Sequence, residues 1–184
     1  MTPDPRSLWQ YVGDVRPPFA DTPAPGQESV WDYPRPPRLV EDAREVVVVV
    51  GTVELIRTRG ALRMLETASP PTFYLPVADA TPGMLVPAPH AGRSHCEWKG
   101  SAKYWSVTTD PATGGTVLDA AAWSYPHPQS PYEQLAGYFS IYPGRCVCTV
   151  DGERVRAQDG GFYGGWVTAE LAGPWKGKPG TGGW

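Results

Sequence analysis

Twelve residues, Ser94-His95-Cys96-Glu97-Trp98-Lys99-Gly100-Ser101-Ala102-Lys103-Tyr104-Trp105, bring together a thiol, an imidazole, a carboxylate, two amines and three aromatic rings. The thiolate is the nucleophilic form of cysteine, and a neighbouring cation favours it. Imidazole is the side chain best suited to general acid–base work near neutrality. Cys96, His95 and Lys99 are therefore the candidate catalytic residues. Extended backbone sends successive side chains to opposite faces, which would put His95, Glu97 and Lys99 on one face and Cys96 and Trp98 on the other. Unless the segment is a turn, a base for Cys96 must come from elsewhere. The bland alternative is a buried, inert cysteine.

Other groups are less pointed. Cys146 and Cys148 in Arg145-Cys146-Val147-Cys148 share one face of a strand but match no common zinc spacing. Even with Cys96 and a histidine they suggest core packing before a metal centre, and no metal ligand is assigned. His90 and His127 form no recognised motif, and His127 lies between Pro126 and Pro128. Asp79 follows the Tyr74-Leu75-Pro76 corner, where a loop residue is well placed for function. Glu97, Asp119 and Glu133 are the other acidic candidates. Tyr74, Trp98, Tyr104, Trp105 and Trp123 are mixed with polar residues, the usual make-up of a small-molecule pocket. Lys99, flanked by Trp98 and Gly100, suits anion binding or amine chemistry. With Asp79, these are the candidate ligand-binding residues. No phosphate loop or dinucleotide-binding glycine motif is present, and no cofactor is indicated.

The elements that must position these groups are short. In 184 residues there are 22 prolines and 21 glycines, a density that long helices do not tolerate. The net charge of −3 and the lack of a basic cluster argue against a nucleic-acid partner. No apolar run approaches the roughly 20 residues of a membrane helix, so no membrane partner is expected. Met1 to Arg6 do not read as a secretory signal, and three cysteines suit a reducing compartment. The expected localisation is cytoplasmic.

Residues 1–37 read as a proline- and aromatic-rich arm lying across the body. Residues 38–156 read as the β domain, and residues 157–184 as a glycine- and aromatic-rich arm on the same domain. Val46 to Val50 predicts a strand buried on both faces. Thr52 to Arg57 predicts its partner, with one buried face. Ala61 to Thr67 is the best helix candidate, ended by Pro70-Pro71. Further strands are expected at 72–76, 103–109, 116–125, 138–142 and 145–150, with a turn at 113–115, a helical turn in 131–136 and a tight turn at Asp151-Gly152. The fold class is mainly β, an antiparallel sandwich or small barrel with one or two short helices. Trp98-Lys99-Gly100 is echoed by Trp175-Lys176-Gly177, too short to count as a repeat.

Several motifs in order resemble the domain-of-unknown-function 427 family, in its single-copy bacterial form. They are Val30-Trp31-Asp32-Tyr33-Pro34-Arg35-Pro36-Pro37, Thr72-Phe73-Tyr74-Leu75-Pro76, Cys96-Glu97-Trp98-Lys99-Gly100 with Tyr104-Trp105, and Ala122-Trp123-Ser124-Tyr125-Pro126. Phe162-Tyr163-Gly164-Gly165-Trp166 and Gly173-Pro174-Trp175-Lys176-Gly177 are similar to the family's tail. The resemblance implies a β-tent-like domain and strengthens Tyr74, Cys96, Trp98, Lys99, Tyr104 and Trp105 as site residues, without assigning them chemistry. The nucleotidyltransferase-like label attached to the family finds no carboxylate pair or phosphate loop here, and the Cys-x-x-Cys knuckles of zinc-binding β-tent relatives are absent. The expected partner is a small, anionic molecule bound in an aromatic-lined pocket and acted on there. The alternative is a non-catalytic interaction module, or a homo-oligomer, docking through its aromatic arms.

Overall fold

A computed structural model describes residues 9–113, 115 and 117–184. The chain enters through β1 (Glu28–Ser29) and β2 (Arg38–Asp42), followed by β3 (Val46–Val50), β4 (Val53–Thr58), β5 (Ala61–Leu65) and β6 (Thr72–Pro76). Next come β7 (Leu85–Pro87), β8 (Arg93–Cys96), β9 (Gly100–Thr108) and β10 (Val117–Ser124). The rest comprises β11 (Tyr138–Ile141), β12 (Val147–Val150), β13 (Glu153–Arg154), β14 (Arg156–Ala157), β15 (Trp166–Val167) and β16 (Leu171–Ala172). Helix among the described residues is limited to three-residue 3-10 turns such as Glu133–Leu135. None is long and apolar enough to cross a membrane.

An eight-stranded sheet runs β2-β5-β6-β11-β10-β9-β7, with β8 also paired to β9, and a four-stranded sheet runs β13-β12-β3-β4. Both are antiparallel. Neither closes into a barrel, so the sandwich form of the expected fold is the one adopted. Val46, Val48, Val50 and Cys148 of the small sheet pack against Phe73, Leu75, Val107, Phe139 and Ile141 of the large one. Period-2 alternation then places Tyr74, Ala102 and Trp123 on the outer face of the large sheet, in a second cluster. That outer face carries the site.

Two local expectations are corrected. Ala61–Leu65 is a strand, not a helix. It lies between β2 and β6, and the ladder bonds and burial on both faces override a helix preference worth only tenths of a kcal/mol per residue, up to about 0.7. Arg63, the one residue of this strand that is not buried, pairs with Glu28 at 3.1 Å and Asp42 at 3.2 Å. The valine run is not buried on both faces: Val46, Val48 and Val50 are buried while Val47 and Val49 are half-covered. Asp151-Gly152 does form the tight turn, both residues having positive φ (46° and 81°) and joining Val150 to Glu153. The turn expected at 113–115 falls partly outside the described residues.

The terminal segments cover the body together. β1 pairs in parallel with β16, and Trp31 donates its indole N–H to the Pro174 carbonyl at 2.9 Å. Trp31 is fully buried, in edge contact with Tyr11 and Phe19, while Phe19 stacks on Trp184 at 5.0 Å. Such ring pairs contribute about 0.5–1.5 kcal/mol each beyond their buried area. The C-terminal segment is thereby held against the outer face of the large sheet, where Lys176 N–H donates to the Ala68 carbonyl.

Candidate functional site

The hairpin of β8 and β9 sets the geometry. Cys96 is paired with Gly100, leaving Glu97, Trp98 and Lys99 as a three-residue loop. Gly100 completes it at φ 93°, a conformation that glycine adopts without a Cβ penalty. The loop ends the strand alternation at Cys96. The turn reading therefore holds for this segment, and the face-splitting expected of an extended chain does not apply. Cys96 acts electrostatically on Lys99, and the Lys99 ammonium lies 5.7 Å from the centroid of the Tyr125 ring.

Neighbouring strands supply the walls. Tyr104 and Trp123 are direct cross-strand partners, and Tyr104 shares a 2.9 Å hydroxyl contact with Ser94. Trp123 packs on Tyr142 at 4.5 Å, and Tyr74 faces Tyr125 at 6.3 Å. With Glu66, Phe162, Tyr163, Gly164 and Lys176 they surround a cavity of about 410 Å³, the size of a small-molecule site. Gly164 is needed there, because a Cβ at that position would collide with the Trp123 ring. Buried Gln158 clamps this wall: its amide donates to the Lys176 carbonyl at 2.9 Å and accepts from Gly165 N–H at 3.2 Å.

The charges are unusual for an interior. Lys99 is 8% and Lys176 5% exposed. Among the described residues neither has a carboxylate within ion-pair distance. Burial would lower the affinity of Lys99 for its proton. Cys96, Tyr125 and Glu66 outweigh it and hold the group above the ordinary lysine value. Burial, then Arg35, push Lys176 below the ordinary value, with Glu66 and Glu97 opposing. Arg35 lies behind the site, 3.6 Å from Glu66. Burial pushes the Tyr74 and Tyr125 phenols far up and Tyr142 to about 12, so these walls are neutral hydroxyls at pH 7.

The structure brings Tyr74, His95, Cys96, Trp98, Lys99, Tyr104 and Trp123 to one cavity. His95 is an exposed member, its Nδ1 3.4 Å from Ser101 Oγ across the hairpin. Asp79 and Trp105 are elsewhere. Asp79 lies in an exposed 3-10 turn and accepts a hydrogen bond from Thr58 at 2.6 Å. Trp105 follows Tyr104 on β9 and so points to the other side of the sheet, packing against the sandwich core and donating to Ser124 Oγ at 2.9 Å. Cys146 and Cys148 approach each other at 3.6 Å and belong to that core, so they do not join Cys96. Sequence reasoning missed Glu66, Gln158 and Lys176. The signal for Lys176 was the short Trp-Lys-Gly echo, whose two lysines both line the cavity.

A family model described as a domain of unknown function (DUF427) matches residues 38–156. No curated protein matches the chain.

Proposed function

Because the chain belongs to the domain-of-unknown-function 427 family, whose description names no chemistry, we propose from the cavity that it is a cytoplasmic protein binding a small planar carboxylate. The observation carrying this reading is the pair of buried lysines, Lys99 and Lys176, lining one cavity without carboxylate partners. An ammonium withdrawn from water is costly to maintain unless an anion compensates it. Glu66 acts on both cations and Glu97 on Lys176, so the cavity suits one negative charge better than the two of a phosphate monoester. The rings of Trp98, Trp123, Tyr104 and Tyr142 give a planar body its contact surface. Trp31 and Tyr33 are already buried within the chain, which favours this reading over docking through those rings.

Benzoate is a suitable probe, titrated against the tryptophan fluorescence of the intact chain. Lys99→Gln and Lys176→Gln should each weaken binding by about tenfold or more, the scale of one charge-assisted hydrogen bond, with circular dichroism unchanged. Equal affinity in the parent and both variants would exclude the cavity as a carboxylate site.

A further inference from the structure

Resting on that carboxylate reading, we propose that Cys96 is the nucleophile of the site, attacking an electrophilic carbon of a small carboxylate-bearing substrate whose anionic group is held by Lys99 and Lys176. Cys96 lines the cavity with both lysines. It is half-buried rather than closed into the core. Lys176 is independent of the hairpin: it arrives from the C-terminal segment, is nine-tenths buried, and has its ammonium 4.8 Å from the Trp9 ring centroid with no hydrogen-bonding partner among the described residues. A cation so placed has a use if an anion enters beside it. The hairpin loop fixes Cys96 and Lys99 at its two ends, so an anion drawn to Lys99 arrives next to the sulfur. Cys146 and Cys148 lie in the sandwich core, away from this chemistry.

The step is a substitution. The thiol proton passes to solvent, and a sulfur lone pair forms an S–C bond. The bond from that carbon to its leaving group breaks, and the leaving group departs with the bonding electrons. With iodoacetate as the anionic electrophile the products are a carboxymethyl thioether and iodide. Iodoacetamide has the same reacting carbon and no charge, so the ratio of the two rates isolates the contribution of the lysines.

The test is alkylation of the folded chain by each reagent at pH 7, with Cys96 modification followed by peptide mass spectrometry and the urea-unfolded chain as reference. The iodoacetate-to-iodoacetamide rate ratio at Cys96 should exceed that of the unfolded chain by about tenfold, the lower end of charge focusing in a cleft. Lys176→Gln, which leaves the hairpin untouched, should return the ratio toward the unfolded value, and benzoate should protect Cys96. A folded-state ratio equal to the unfolded one would overturn the proposal. If benzoate still binds in that case, the carboxylate site stands and only the nucleophile falls. If benzoate also fails to bind, both fall.

Discussion

Lys99 and Lys176 come from different parts of the chain and feel opposite balances. Lys99 is held above the ordinary lysine value by Cys96, Tyr125 and Glu66 against the effect of burial. Lys176 is pushed below it by burial and by Arg35. An anion needs both protonated, so its affinity should be flat through neutral pH and fall on the alkaline side as Lys176 loses its proton before an ordinary lysine would, near ~10.4. The measurement is a benzoate titration at several pH values. In Lys176→Gln the early alkaline fall should disappear, leaving the later loss of Lys99. An unaltered profile in that variant would remove Lys176 from the account.

The decisive elements are two loops in which a glycine permits close packing. The first is the β8–β9 hairpin, whose Gly100 also packs against Gln129. The second carries Gly164 and Gly165 between Tyr163 and Trp166. Gly164→Ala should displace the Trp123 ring into the cavity, lowering benzoate affinity about tenfold or more at a stability cost of about 1–3 kcal/mol from overpacking. A variant of parental affinity would show that this wall does not form the site. Strands announced themselves through alternation and turn dipeptides, as in Thr52 to Arg57 and Asp151-Gly152. Ala61–Leu65 did not, because a strand buried on both faces loses the alternating pattern and resembles a short helix. The residues lining the cavity were legible in the hairpin and in Tyr74 and Trp123. Trp105 misled because aromatic residues adjacent in sequence face opposite ways on a strand. Gln158 and Lys176 join the site only through tertiary packing, which no local pattern encodes.

At the scale of the whole molecule, ion pairs tie the entering segment to the body. Glu28, Asp42 and Glu170 surround Arg44 and Arg63, with contacts from 2.6 to 3.5 Å. For Asp42 burial acts upward, but hydrogen bonds from Arg44 and the charges of Arg44 and Arg63 hold the carboxyl below its usual range. For Glu28 burial is likewise outweighed, by Tyr33, Arg63 and Arg44. Folded values below the unfolded ones mean that this stability is complete above the unfolded carboxylate range, about 4, and is lost as pH falls through the depressed folded values. The urea midpoint should therefore drop between pH 6 and pH 3, and Arg44→Met should shrink that drop; an identical drop in the variant would place the acid sensitivity elsewhere. The same packing holds the C-terminal segment, with Lys176, over the sheet. The most direct measurement of the central claim is a crystal structure with para-bromobenzoate, its bromine located by anomalous scattering. The carboxylate should lie between the Lys99 and Lys176 ammonium groups and the ring against Trp98 and Trp123. A bromobenzoate bound elsewhere, with the cavity free of it, would contradict the account.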